Sequence, residues 1–192
     1  MHLIPVPPQV PRRGSAACRF LGRCTLRMLG WDVEGMVPDL PKFVIAVAPH
    51  TSNWDFVIGI AVTFALDLRL AFIGKHTLFV GPFGPLMRWL GGIPVDRSAA
   101  RGVVAESVAG FSGAGRRILV IAPEGTRRKV ERFKSGFLHI AKGAGVPVVL
   151  ATLDYGVKRV RLGPVVEPGP DVEADRARIE AYFAPIRGRH PR

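Results

Sequence analysis

The chain has 192 residues, 48% of them hydrophobic, which is enough for one domain with a real core and excludes a disordered chain. Its formal net charge of +12 favours anionic partners such as nucleic acid, anionic lipid or phosphorylated substrates, although arginine-rich codon usage alone would also give a basic surface. The two cysteines, Cys18 and Cys24, fit neither a redox motif nor a zinc site, so we expect reduced thiols in a cytosolic protein.

The N-terminal region is predicted to contain a proline-rich arm and one amphipathic helix. Residues 1–13 lack a continuous apolar stretch, so we expect a loose arm rather than a signal peptide. The helix is predicted over 15–30. Its basic stripe consists of Arg19, Arg23 and Arg27, and the adjacent apolar face consists of Phe20, Cys24, Met28 and Trp31. This pattern is typical either of a membrane-surface helix or of a helix packed on the core.

From residue 42 onward, predicted strands and helices alternate. Apolar runs predict strands at 43–48, 70–73, 91–95, 117–122, 146–151 and 159–166. Helices are predicted at 54–66, 101–112, 136–142 and 171–183, with a shorter one ending at residue 89. This order predicts an α/β fold, a single domain with a largely parallel sheet flanked by helices. We divide the chain into an arm and helix at 1–41 and a main domain at 42–192, and we expect no transmembrane helix because the apolar run at 56–66 is too short to span a bilayer.

A histidine and an aspartate follow the first strand of the main domain. Residues 49–55 read P-H-T-S-N-W-D, which places His50 in a loop and Asp55 in the first turn of the next helix. Asp55 would then accept a hydrogen bond from one ring nitrogen of His50 and leave the other free as a base. A lone loop histidine is usually structural, but the companion carboxylate and the position at a strand end favour a general base.

A second motif, P-E-G-T-R at 123–127, also follows a predicted strand. Ligands bind at the carboxyl edge of open α/β sheets, so we expect this motif and His50 to share one cleft. Gly125 allows close approach of the backbone to an anion, Thr126 offers a hydroxyl, and Arg127 can bind phosphate through two nitrogens. Glu124 is interpreted as positioning Arg127 or binding a substrate hydroxyl. A base beside an anion site predicts chemistry on a hydroxyl of a phosphorylated substrate.

Four blocks, in this order, resemble those of the glycerolipid acyltransferases. His50 to Asp55 is similar to the H-x-x-x-x-D block, and 91–97 resembles G-x-I-x-x-x-R. Residues 123–127 match x-P-E-G-T-R, and 146–149 match V-P-V-V. The resemblance covers about residues 42–151 and implies a glycerol-3-phosphate acyltransferase-like fold.

The resemblance implies transfer of a fatty acyl group from acyl-CoA or acyl carrier protein to the hydroxyl of a lysophospholipid, with 1-acylglycerol-3-phosphate as the expected acceptor. His50 would be the base and Asp55 its orienting partner. The substrate-binding residues implied are Lys75, Arg97, Glu124, Gly125, Thr126 and Arg127. No metal or resident cofactor is expected. The protein would act in phospholipid biosynthesis, peripherally on an anionic membrane surface at the cytoplasmic face of the cell membrane.

The chain departs from the family pattern in three ways, which concern the acceptor more than the reaction: it is short, with little room expected for a two-helix membrane anchor, and it differs at two local sequences. Pro49 stands where many members carry Asn or Ser, and residues 75–78 read K-H-T-L where better-known members carry a Lys-x-Glu-Leu-like run. A different acceptor, such as a lyso-amino-lipid, therefore stays open. A catalytically silent lipid-binding relative is disfavoured by the intact His50 and Asp55.

A basic nucleic-acid-binding module is the remaining alternative. The aromatic residues do not interleave with basic ones as a stacking surface requires, and no nucleic-acid motif is recognisable. We therefore expect no nucleic-acid partner.

Overall fold

The structure is a computed structural model that describes residues 3–95, 100–126 and 130–190; for residues 100 and 101 it describes only the helical backbone. A seven-stranded sheet forms the centre of the domain, in the spatial order β1-β7-β6-β2-β5-β3-β4. Its strands are β1 (Asp32–Gly35), β2 (Lys42–Ala48), β3 (Ala71–Lys75), β4 (Gly92–Val95), β5 (Arg117–Ile121), β6 (Val148–Asp154) and β7 (Arg159–Val166).

Neighbouring strands are parallel throughout this sheet except for the antiparallel pair β6–β7. The predicted α/β class, with a largely parallel sheet in a single domain, is therefore confirmed. The six α-helices within the described residues are α1 (Ala16–Leu29), α2 (Asn53–Ala65), α3 (Gly84–Trp89), α4 (Ala100–Ser112), α5 (Gly136–Ala144) and α6 (Val172–Phe183). A 3₁₀ turn at His76–Phe79 follows β3.

The core has two layers because side chains of the central strands alternate between the two faces of the sheet. Phe43 of β2 points into a cluster that also contains Leu26 of α1 and Ile58 of α2. Its neighbour Val44 points into the opposite cluster with Leu138 of α5 and other buried residues. Burial on both faces explains why β2 reads as a continuous apolar run.

The N-terminal arm is packed, so the prediction of a loose arm is wrong for residues 3–13. Val10 is fully buried and Ile4 nearly so, and both belong to the first core cluster. The backbone of Arg13 donates to Asp67 at 2.9 Å. Strand β1, which was not predicted, pairs with β7, and its D-V-E-G sequence buries only Val33. Four residues with one buried side chain give too weak an alternation to identify a strand.

Helix α1 packs on the core through a face other than the one that carries Phe20 and Met28, so core packing, one of the two predicted alternatives for that face, does not hold for these two residues. Gly22 and Leu26 are its buried residues, whereas Phe20 and Met28 are 72% and 85% exposed. A Cβ at position 22 would lie 2.5 Å from the backbone of Ala61, so glycine allows α1 to approach α2 closely. Within the described residues, no helix is both long enough and apolar enough to cross a bilayer.

Candidate active site

The two predicted motifs meet at one edge of the sheet. Strands β2 and β5 are parallel neighbours, with Ala46 opposite Ile121. The loops that follow the two strands therefore leave the sheet next to each other. The backbone N–H of His50 donates to Oε1 of Glu124 at 3.0 Å, which ties the two loops together. Glu124 is fully buried.

The start of α2 brings Asp55 back towards His50. Ser52 caps the helix, and Asp55, at the third helical position, completes a capping box with it. Oδ2 of Asp55 accepts hydrogen bonds from the backbone N–H of Thr51 at 2.6 Å and of Ser52 at 2.7 Å. The same oxygen lies 3.2 Å from Nδ1 of His50. The predicted fold-back of the loop is present, and the cap explains how a five-residue spacing becomes a side-chain pair.

Asp55 is a buried carboxylate whose two oxygens both accept hydrogen bonds. Its second oxygen, Oδ1, accepts a hydrogen bond from the hydroxyl of Tyr155 at 2.7 Å. Burial by itself raises the pKa of Asp55, but the hydrogen bonds from His50, Tyr155 and Ser52 outweigh burial, so the pKa lies below its ordinary value. Asp55 therefore remains an anion that holds Nδ1 of His50.

Tyr155 lies just beyond β6 and is itself held in place. Its ring packs edge-to-face on Trp31 with centroids 4.9 Å apart. Its backbone N–H donates to the carbonyl of Arg187 in the C-terminal tail at 2.9 Å. Burial, followed by the contact with Asp55, raises the pKa of Tyr155 well above the ordinary phenol value, so the hydroxyl keeps its proton and stays a donor.

His50 opens onto a cleft of about 610 Å³ that is lined by both apolar and cationic side chains. Much of the lining is apolar and includes Ile73, Val95, Val104, Ile121, Phe137 and Ile140. The polar lining residues include Lys75, Thr126 and Lys134, and none of the described residues that line the cleft is acidic. Such a cleft suits a ligand with an anionic head and a hydrocarbon chain.

The second motif forms a tight turn beside this cleft. Gly125 has φ +65°, a left-handed conformation that favours glycine, and its N–H donates to the carbonyl of Ala122 at 3.0 Å. The backbone N–H of Lys134 donates to the carbonyl of Pro123 at 2.8 Å. A Cβ at position 125 would lie 3.1 Å from the Lys134 side chain, so glycine leaves room for this lysine at the turn.

The structure therefore brings His50, Asp55, Lys75, Gly125 and Thr126 to one site. Arg97 and Arg127 lie outside the described residues, so their part in binding stays a prediction. Glu124 is placed beneath the His50 loop, where its described hydrogen bond is to the His50 backbone. This contact gives Glu124 a positioning role; that it also grips the substrate stays a prediction.

Sequence reasoning missed two residues of the site, Tyr155 and Lys134. Tyr155 follows the C-terminal end of β6, which is parallel to β2. A position just after the C-terminal end of a strand was the signal that identified His50, and the same signal applies to Tyr155. Lys134 lies just before α5 in the run F-K-S-G at 133–136, where nothing but its charge marked it. Among the residues described, no three His, Cys, Asp or Glu side chains form a group suited to a metal ion.

Comparison with known proteins agrees with this arrangement. A family model described as Acyltransferase matches residues 34–153. The chain is similar to the 1-acyl-sn-glycerol-3-phosphate acyltransferase of Escherichia coli, at 35% identity over 81% of this chain and 65% of the relative. The enzyme of the same name from Haemophilus influenzae is 28% identical over 72% of this chain and 60% of the relative. The chain thus spans less than two thirds of the length of these relatives.

A solved structure shows the same fold. The crystal structure of the 1-acyl-sn-glycerophosphate acyltransferase from Thermotoga maritima superposes with a TM-score of 0.64 at 22% sequence identity, covering 87% of this chain and 75% of that chain. The family model matches more than half of the chain and includes both the His50–Asp55 pair and the turn at 123–126. On this match, the chain belongs to the acyltransferase family.

Proposed function

We propose that this chain transfers a fatty acyl group from acyl-CoA or acyl carrier protein to the hydroxyl of a lysophospholipid, with 1-acylglycerol-3-phosphate as the acceptor, in phospholipid biosynthesis. The observation that carries the proposal is the His50–Asp55 pair at a cleft that is lined by both cationic and apolar side chains. The names of the Escherichia coli and Haemophilus influenzae relatives support the choice of acceptor.

In the proposed reaction, His50 acts as the general base. Asp55 engages Nδ1, so Nε2 is the nitrogen that removes the proton from the acceptor hydroxyl. The hydroxyl oxygen attacks the thioester carbonyl carbon and forms a tetrahedral intermediate. The C–S bond then breaks, and the leaving thiolate takes the proton from the imidazolium. The products are an ester and a free thiol, and no acyl-enzyme is formed.

The cationic and the apolar residues of the cleft would bind different parts of the substrates. Lys75 and Lys134, with the predicted Arg97 and Arg127, would hold the acceptor phosphate, because charged donors make strong hydrogen bonds to phosphate oxygens. The apolar lining residues would contact the acyl chain. The mechanism assigns no step to a metal or a resident cofactor, and acyl-CoA or acyl carrier protein enters as a co-substrate.

The substrates also bear on where the protein works. Lysophospholipids reside in membranes and the thioester donors are soluble, so the enzyme would act at the boundary between the two. The net charge of +12 favours an anionic membrane surface. We therefore place it peripherally at the cytoplasmic face of the cell membrane.

The direct test is an assay of the purified protein with a panel of lysolipid acceptors and both thioester donors. We expect the highest kcat/KM with 1-acylglycerol-3-phosphate. A higher value with a lyso-amino-lipid would favour the alternative acceptor. No transfer to any acceptor would contradict the proposal.

Arg127→Ala is expected to weaken acceptor binding more than chemistry. Loss of hydrogen bonds from a charged group, each of about 1.5–3 kcal/mol, should raise the acceptor KM by about tenfold or more and leave kcat nearly unchanged. Arg132→Ala is the control, because Arg132 is an exposed arginine that pairs with Glu173. An unchanged acceptor KM in Arg127→Ala would remove the phosphate assignment.

Tyr155→Phe is expected to lower kcat by about fivefold, because Asp55 loses one hydrogen bond worth about 1 kcal/mol and holds His50 less firmly. The chain offers a matched control in its other tyrosine, since the hydroxyl of Tyr182 also donates a hydrogen bond, to the carbonyl of Gly163 at 2.8 Å. Both variants should lose similar stability in thermal unfolding, but only Tyr155→Phe should lose turnover. Equal kcat values for the two variants would show that Tyr155 has only a structural role.

A further inference from the structure

The segment that joins β3 to β4 exposes an unusual amount of apolar surface. Five of its side chains are between 45% and 69% exposed: Leu78, Val80, Phe83, Leu86 and Trp89. We call these five side chains the β3–β4 apolar patch. Exposed apolar side chains gathered in one short segment mark interaction surfaces more often than scattered ones do.

The patch is firmly attached to the sheet through Phe79. A Cβ at Gly74 of β3 would lie 2.8 Å from the Phe79 ring, and one at Gly92 of β4 would lie 2.6 Å from it. The absence of a side chain at these two glycines therefore leaves room for the Phe79 ring against the sheet. The guanidinium of Arg88 also donates to the Phe79 carbonyl at 3.2 Å. With Phe79 buried beneath it, the segment presents its other apolar side chains to solvent on a fixed support.

The charged residues of this segment all have one sign. Between Asp67 and Asp96 the sequence contains no aspartate or glutamate, whereas Lys75 and Arg88 lie beside the patch residues. Apolar side chains accompanied by cations and free of carboxylates complement a surface of hydrocarbon below anionic headgroups.

The patch is also continuous with the cleft. Lys75, Thr77 and Leu78 line the same cleft as His50, and Leu78 belongs to the patch. A lipid that leaves a membrane beneath the patch would therefore reach His50 without crossing open solvent. This step rests on the proposed lipid substrate.

From these observations we infer that the β3–β4 apolar patch docks on the surface of an anionic phospholipid membrane, with the opening of the cleft towards the lipid. The competing surface is the outer face of α1, where Phe20 and Met28 are also exposed. Those two residues do not line the cleft, and the neighbouring Arg19 is paired with Asp67 at 3.1 Å.

The two surfaces offer a matched pair of variants. Val80→Ser/Phe83→Ser removes two side chains that are 61% and 69% exposed, and Phe20→Ser/Met28→Ser removes two that are 72% and 85% exposed. All four are surface positions, so both variants are expected to fold. Co-sedimentation with vesicles of equal parts phosphatidylcholine and phosphatidylglycerol measures the partition coefficient of each.

We expect the patch variant to lose about tenfold or more in partitioning, because its apolar side chains no longer enter the interface, and the α1 variant to lose less than about twofold. An equal loss in both variants, or a larger loss in the α1 variant, would overturn the inference. Binding is measured without substrate, so the result decides the docking surface even if the proposed acyl transfer fails.

A fluorescence measurement gives an independent readout. In a Trp54→Phe background the remaining tryptophans are Trp31, which is 4% exposed, and Trp89, which is 56% exposed and belongs to the patch. Addition of the same vesicles should shift the emission to shorter wavelength as Trp89 leaves water. The absence of a shift at vesicle concentrations that bind the protein would overturn the inference.

Discussion

His50→Ala is expected to lower kcat/KM for acyl transfer by about a thousandfold or more, because the acceptor hydroxyl loses the group that removes its proton. The fold should remain intact, since the His50 side chain opens onto the cleft and is 23% exposed. Asp55 keeps its three other donors, from Thr51, Ser52 and Tyr155.

The control for this variant is His139→Ala, which removes an exposed histidine on α5. Steady-state kinetics and thermal unfolding of both variants separate a chemical effect from a loss of folded protein. Turnover of His50→Ala close to that of the unmodified protein would contradict the proposed mechanism.

Asp55→Asn is expected to reduce both activity and stability. An amide leaves His50 without an anionic partner, so kcat should fall by about a hundredfold or more. An Asn side chain also has one oxygen to offer where the carboxylate has two, and a buried donor left without an acceptor costs about 1–3 kcal/mol. We therefore expect a lower free energy of unfolding in denaturant titrations.

A buried carboxylate outside the cleft separates these two effects. Asp175 is 8% exposed and accepts a hydrogen bond from the backbone of Gly169 at 2.6 Å, as Asp55 does from Ser52. Asp175→Asn should lose stability but keep its turnover per folded molecule. If Asp55→Asn kept its turnover as well, Asp55 would have a purely structural role.

The lowered pKa of Asp55 also gives the sign of a pH effect. In the unfolded chain the group titrates near its ordinary value of 3.8, and in the folded protein it titrates below that value. Its contribution to stability is therefore fully present above the ordinary value and is lost as pH falls through the lowered one. The unmodified protein should lose this part of its stability in acid, and Asp55→Asn should lack that part of the pH dependence.

The sequence revealed most of the fold because the central strands are buried on both faces. Strands β2, β5 and β6 read as apolar runs for this reason, and the two motifs directly follow β2 and β5. Strand β1 was missed because its pairing with β7 depends on a contact between distant parts of the chain. For the apolar face of α1 the sequence left membrane contact and core packing open, and core packing fails for Phe20 because the smaller Gly22 makes the close contact with α2.

The pairing of His50 with Asp55 was predictable because His50 lies in a short loop and Asp55 in the first turn of the helix that directly follows it. Tyr155 was not, because it lies 100 residues from Asp55 in the sequence and reaches it only through the order of strands in the sheet. Glu124 was interpreted as positioning Arg127 or binding a substrate hydroxyl. Its contact with the His50 backbone was not predicted, because it depends on how the loops after two neighbouring strands are placed against each other.

The oxygen of Asp55 that caps α2 is also the oxygen beside His50, so fraying of the helix end and loss of the oriented base are one event. The amide protons of Thr51 and Ser52 are hydrogen-bonded to that oxygen, and they exchange with solvent only when these hydrogen bonds break. Their rate of exchange with deuterium therefore measures, without any substrate, how often a folded molecule has its base out of position.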